Sequence, residues 1–471
     1  MWLSVDALPG LVAASAAVCV ASLWLSRRRT AWWYLDPRGP FAVILFLHAS
    51  GVPIFALWHG RLPQIFGLVP SRVADATGLT VLFQCGILLG TLLPARFGRS
   101  AAWELRPETQ RAFFRVLEIA VFLTDTPAWL GLASGGYARL AHAHYGEGQG
   151  LEGSDWMAKV TGLSNISYIA IPTLALLVLA HGLARRPLSS PRLVGLVAWV
   201  AIPVLLSGGR RDLVILLAAF FLARAVRSVR PKWGFIAVAA VALTLLSMVL
   251  AASRSGDSLS PSDRLQAVRD MNALDSASAL DAFLLLFSST NVISGAVCIF
   301  PTPHSFTLGS SYFQASATLL YPGFLMGGYL YEPMSWQFRE LYYPSIHGLA
   351  IDYSIVAEAY QNFGMVGPFG VGCVTGAALN ALFTRSHISS AQRFSPWPML
   401  NLHVLWTTVY ALRTDSNTYA KLLVYGTLWL FGLAGVAALM NRGVARMIPT
   451  AAERKQIRHV RASGRDPGSE A

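Results

Sequence analysis

The chain is predicted to be an all-α polytopic membrane protein, and three observations predict it. Hydrophobic residues make up 54% of its 471 residues and charged residues only 13%, where a soluble domain averages about 25% charged. Mean hydropathy is +0.49, and the apolar residues fall into segments near the ~20 residues that cross a bilayer as a helix. Of the 37 Lys and Arg, 25 lie in every second connection between those segments. Cytoplasmic loops retain Lys and Arg, so this alternation orients the chain.

The first segment, 8–25, stops at Arg27-Arg28-Arg29, which marks the cytoplasmic side and places the N-terminus outside. The leading MWLSVDALPG lacks a basic n-region and carries Asp6, so this segment reads as a retained helix and not as a cleaved signal peptide. The second, 41–58, leads to a short outer loop with Arg61 and Arg72, and the third, 74–93, returns to Arg96, Arg99, Arg106, Arg111 and Arg115. The fourth, 112–132, contains Glu118 and Asp125; Arg115 stands one helical turn before Glu118, where an ion pair is the simplest expectation. A polar outer loop follows, and the fifth segment, 165–182, ends at Arg185 and Arg186 inside.

The sixth and seventh segments, 193–206 and 213–225, are short and joined by Ser207-Gly208-Gly209-Arg210-Arg211-Asp212 on the outer side. The eighth, 234–252, exits at Arg254 into a long outer region over 253–350. Its acids (Asp257, Asp263, Asp270, Asp275, Asp281, Glu332, Glu340) outnumber its arginines (Arg254, Arg264, Arg269, Arg339), as suits the outer face. Within it, 283–300 and 312–329 are apolar and fit short amphipathic helices, re-entrant pieces or a further spanning pair. The ninth segment ends near Phe383 inside, the tenth, 399–412, ends at Arg413-Thr414-Asp415 outside, and the eleventh, 422–440, leads to a basic tail. About 11 spans result: a single transmembrane helical domain over 1–440, with the long loop inside it and a basic cytoplasmic tail over 441–471.

Several function classes are excluded or disfavoured. The net charge of +13 sits in short inter-helix loops, so topology accounts for it without nucleic acid. The four cysteines have no CxxC or Cys/His spacing, so no metal site is expected. No internal period suggests repeats, and no inverted repeat suggests the commonest transporter folds.

The chemistry gathers at the outer membrane edge. Outer-face arginines run against the positive-inside trend. A single one would read as a residue snorkelling to the headgroups; as a set, Arg210, Arg211, Arg254 and Arg413 suggest an anionic, lipid-borne ligand. In the SGGRRD turn two glycines let the backbone approach a ligand, the following helix offers its N-terminal N–H groups, and guanidinium forks can clasp phosphate. The segment HGLAIDYSIVAEAYQNFGMVGPFGVG supplies proton-handling groups in His347, Asp352 and Glu358. Glu358 precedes an apolar run and must face a polar cavity, an interface or a structural partner. Gly364, Gly367, Gly370 and Gly372 allow close helix packing.

These motifs resemble those of the Wzy-type O-antigen polymerases, also called oligosaccharide repeat unit polymerases. The matching features are SGGRRDL between two short helices, Arg254 after the next helix, the long outer loop, E-x-Y-x-N-F-G-x-x-G from Glu358 to Gly367, and Arg-x-Asp from Arg413 to Asp415. They cover roughly 190–440. The related O-antigen ligases share a long late loop and an important histidine, a part His347 could take. The resemblance implies 11–14 helices in the bacterial cytoplasmic membrane and a cell-envelope glycosyltransferase with its site facing the periplasm. It implies metal-independent transfer on undecaprenyl diphosphate-linked oligosaccharide, with no cofactor and with a chain-length regulator as partner. Arg210, Arg211, Arg254 and Arg413 would bind the diphosphate, and Glu358 or His347 would be the base. A ligase transferring glycan to another acceptor is the near alternative, and a polysaccharide or lipid-linked-sugar flippase the distant one. A C-type glycosyltransferase is disfavoured, because the early outer loop HGRLPQIFGLVPSR has no acid.

Overall fold

The computed structural model describes residues 3–29, 36, 38–65, 68–93, 107–133, 155–207, 291–301, 305–320, 330–332, 334–342, 353–386 and 416–447, with scattered positions in 216–227, 281–290 and 399–407. The regular secondary structure of the described residues is all helical, without strands. The long helices are α1 (Leu8–Arg29), α2 (Arg38–His59), α3 (Val73–Leu92), α4 (Pro107–Ala133), α5 (Asp155–Leu183) and α6 (Pro191–Ser207). Short helices α7 (Thr290–Ile299), α8 (Ser310–Leu319), α9 (Met334–Tyr342) and α10 (Ile355–Phe363) precede the long α11 (Val366–Ser386) and α12 (Ser416–Met447).

Helices therefore cover the first six, the ninth and the eleventh expected segments. Among the described residues 5 are long and apolar enough to cross a membrane, at Val5–Arg28, Phe41–His59, Pro70–Leu92, Val366–Thr384 and Tyr419–Asn441. The eighth segment and the tail beyond Met447 lie outside the described residues. In α4, no ion pair joins Arg115 to Glu118; the electrostatic neighbour of Glu118 is Arg186, beyond the end of α5.

Helix α3 is the central post, buried from Val73 through Thr91 on most of its circumference. It packs in parallel against α11 through two Gly-xxx-Gly pairs, Gly86/Gly90 and Gly372/Gly376. A Cβ at Gly86 or Gly90 would overlap the carbonyls of Phe369 and Cys373, and one at Gly372 or Gly376 those of Phe83 and Ile87. Without water between helices, close backbone approach and dispersion drive such packing. Gly370 faces open space and takes no part.

Polar contacts tie the helix ends together. At one end Arg38 is buried against Asp36, with its Nε donating to Oδ1 at 2.7 Å. Its Nη1 donates to Asn380 Oδ1 at 2.9 Å, and Asn380 Nδ2 donates to the Leu93 carbonyl at 2.9 Å. The start of α2 and the ends of α3 and α11 are thus level. Asn441 Nδ2 donates to Thr109 Oγ1 at 3.1 Å, joining the end of α12 to the start of α4.

At the opposite end His59 Nε2 lies 2.9 Å and 3.0 Å from the two carboxyl oxygens of Asp281. Leu284 lies beside α2, its carbonyl where a Cβ on Gly51 would stand. Gly51 is about 12 Å below His59 at 1.5 Å per residue. Ser288 is not helical and α7 begins at Thr290, with the Ser288 and Thr290 hydroxyls 2.7 Å apart. Ser294 Oγ then accepts from the N–H of Val69, in the α2–α3 connection, at 3.2 Å. Within the expected apolar stretch 283–300, the described helix α7 has 10 residues, about half the length a hydrocarbon core requires.

The glycine contacts yield a graded prediction. Gly90→Val should destabilise the protein by about 1–3 kcal/mol or more through overpacking, whereas Gly370→Ala should be neutral. Thermal unfolding in detergent measures both; equal midpoints would contradict a close α3–α11 contact at Gly90.

Candidate functional site

Helix α10 is the keystone of the end opposite Arg38. It is 9 residues long, and every residue from Ile355 to Asn362 is buried. Ser354 caps its start, its Oγ accepting from the Val356 N–H at 3.2 Å. Gly364 ends it at φ +64°, with its N–H donating to the Tyr360 carbonyl at 2.7 Å. Glycine suits that left-handed position, and a Cβ there would also strike the Phe306 ring. A Cβ on Gly367 would overlap the Ala359 carbonyl, so the turn from α10 into α11 needs both glycines.

One face of α10 locks onto the core around α3. Tyr360 Oη donates to the Phe300 carbonyl at 2.7 Å, holding the end of α7. Burial pushes the Tyr360 hydroxyl up to about 12; Arg72 pulls against this, and Asp75 and Cys298 add to it. Tyr353 Oη donates to Gln361 Oε1 at 2.5 Å, and its ring lies 5.1 Å from that of Phe338 in α9.

The other face carries Glu358, which is fully buried. Its Oε1 accepts from Ser311 Oγ at 2.5 Å and from Ser416 Oγ at 2.6 Å, and its Oε2 accepts from the Ser416 N–H at 2.6 Å. Ser311 is the second residue of α8 and Ser416 the first of α12. The carboxylate thus stands at two helix N-termini, whose dipoles and free N–H groups favour an anion. Hydrogen bonds to a charged group are worth about 1.5–3 kcal/mol each.

One turn on, Asn362 extends the network. Its Nδ2 donates to Ser311 Oγ at 2.7 Å and to the Glu358 carbonyl at 2.8 Å. Its Oδ1 accepts from Thr307 Oγ1 at 2.8 Å and from the Gly309 N–H at 2.9 Å. The Thr307 and Leu308 N–H groups donate to the Gln361 and Asn362 carbonyls at 3.0 and 3.1 Å. These bonds hold Leu308 and Gly309 at φ +48° and +85°, a left-handed pair that a leucine adopts only when its surroundings impose it. Tyr312 stacks on Phe363 with ring centroids 6.1 Å apart, and its buried hydroxyl has no hydrogen-bond partner among the described residues. Burial first, then the Glu358 carboxylate, pushes that hydroxyl's pKa up.

Of the candidate base and diphosphate-binding residues singled out from the sequence, Glu358 is the one described. His347, Asp352, Arg210, Arg211, Arg254, Arg413 and Asp415 lie outside the described residues. Glu358, of E-x-Y-x-N-F-G-x-x-G, grips Ser416, the residue that follows Arg413-Thr414-Asp415 in the sequence. Ser311 and Ser416 were not anticipated as its partners; the trace they leave in sequence is that each is a hydroxyl residue at the start of a helix, a common capping choice. No cluster of metal-binding side chains occurs among the described residues. Comparison with protein-family models, with curated proteins and with solved structures returns no match.

Asn362 yields the sharpest local test. Asn362→Ala removes an acceptor from Thr307 and Gly309 and a donor to Ser311, so amide hydrogen exchange at Gly309 should accelerate about five- to tenfold, equivalent to about 1–1.4 kcal/mol. Unchanged exchange there would show that the loop holds its left-handed pair without Asn362.

Proposed function

We propose that the chain polymerises lipid-diphosphate-linked oligosaccharide repeat units at the outer face of a bacterial cytoplasmic membrane. The observation that carries this reading is the contact between Glu358 and Ser416, 58 residues apart, which supports a single working site for the sequence motifs beside them. About 11 spans would place this end outside, with the N-terminus outside and the C-terminus inside.

In the reaction a hydroxyl on the non-reducing sugar of one repeat unit attacks the anomeric carbon of another. The new C–O bond forms on the face opposite the lipid diphosphate, whose C–O bond breaks, so the anomeric centre inverts. Arg210, Arg211, Arg254 and Arg413 bind the diphosphate and stabilise the charge it gains on leaving, a role that needs no metal. Holding two bound reactants in line contributes on the order of 7–11 kcal/mol.

Three donors already engage Glu358, so its part here is to brace the start of α12, next in sequence to Arg413 and Asp415. His347 takes the acceptor proton as general base.

The test is a purified assay with a lipid-diphosphate repeat unit in chelator. Ladders of lengthening chains are expected, and they should vanish in an Arg210→Ala, Arg254→Ala double variant that still expresses normally. His347→Gln should lose turnover with stability intact, whereas Glu358→Gln should lose stability and rate together. Transfer of preformed polymer to another acceptor, without ladders, would make the chain a ligase. Activity that disappears in chelator and returns with magnesium would overturn the arginine-only mechanism.

A further inference from the structure

Helix α8 is tied to α12 at two levels. At the top, Ser311 and Ser416 share the Glu358 carboxylate. At the bottom, Tyr425 Oη donates to the Leu319 carbonyl at 3.0 Å. Ser311 to Leu319 is about 12 Å of helix, and Ser416 to Tyr425 about 13–14 Å, at 1.5 Å per residue. The two helices therefore run side by side in the same direction. Tyr425 lies inside the apolar stretch Tyr419–Asn441, which is long enough to cross a membrane, about 9 Å below its start. Helix α8 descends to that depth with it.

The outward face of α8 suits such a position. Phe313 is 70% exposed and Leu320 is 89% exposed, one above the other two turns apart. Ser316 between them returns its hydroxyl to the Tyr312 carbonyl at 2.8 Å, so no polar group on this stripe needs water. The stripe is continued on α12 by Leu428, which is 63% exposed and lies three residues below Tyr425. At the top, exposed Leu308, Phe363, Met365 and Val366 extend the apolar surface to the start of α11. An apolar patch of this extent marks a contact with protein or membrane. Its continuity with the faces of two membrane-length helices identifies the occupant as lipid.

We propose that α8 is a re-entrant helix whose Phe313–Leu320 face lies against the hydrocarbon chains of the membrane leaflet on the Glu358 side. The buried Glu358 network then sits one helical turn from lipid, with α8 as the wall between them.

Site-directed spin labelling of the full chain in phospholipid vesicles tests this. Cys19, Cys85, Cys298 and Cys373 are replaced by alanine, and single cysteines are introduced by Phe313→Cys and Leu320→Cys. Val374→Cys on the exposed face of α11 serves as the membrane reference and Gln64→Cys in the α2–α3 connection as the aqueous one. Oxygen should relax the labels at 313 and 320 more than a water-soluble nickel complex does, as at 374 and opposite to 64. A nickel-dominated response at both positions would overturn the proposal. Should the cysteine-free chain not fold, a benzophenone amino acid at 313 in the otherwise unaltered chain decides the matter. Photoadducts with phospholipid are expected; crosslinked dimers, adducts with another protein, or no adduct would each contradict it.

Discussion

A carboxylate enclosed within a helical membrane protein is unfavourable unless hydrogen-bond donors surround it, because desolvation costs several kcal/mol per ion. Glu358 meets that requirement at the junction of three helices. Two serine hydroxyls and a backbone N–H converge on it, and two helices begin at it. Satisfying this one group sets where α8 and α12 start and which way they run. Through Asn362 it also shapes the loop at 307–309, and through the opposite face of α10 it is joined to Phe300 and the core around α3. The described short helices between α6 and α11 are organised around this helix, which is too short to span a membrane and is buried along nearly its whole length.

The rest of the bundle gives the keystone something rigid to rest on. Glycines on α3 and α11 bring those backbones into contact, and the Asp36–Arg38–Asn380 cluster pins their far ends. Helix α10 leads directly into α11 through Gly364 and Gly367, so a displacement of α10 is resisted along the length of α3. In the proposed reaction that stiffness matters, because two bulky lipid-borne reactants must be held in line while arginines on separate connections reach one diphosphate.

Much of the fold was legible in the sequence because membrane helices declare themselves by length and apolarity. The first six helices, α11 and α12 fall where the hydropathy segments lie. The residues of E-x-Y-x-N-F-G-x-x-G stood out as a motif, and the structure gives each a physical role. Glu358 is an anion at two helix starts, and Tyr360 holds the Phe300 carbonyl. Asn362 clasps a left-handed turn, and Gly364 and Gly367 stand where a side chain would collide. What sequence could not show was long-range pairing. Nothing near Glu358 points to Ser311 or Ser416, since a serine that caps a helix locally looks the same as one that serves a distant carboxylate.

Glu358 acts through the start of α12. A double-mutant cycle on stability in detergent, using Glu358→Ala, Ser416→Ala and the pair, measures that coupling directly. A strong interaction of about 1–3 kcal/mol is predicted, because each single change already leaves the other partner buried without its hydrogen bond. Additivity to within about 0.5 kcal/mol would contradict it, and would mean that the two residues are held in place independently.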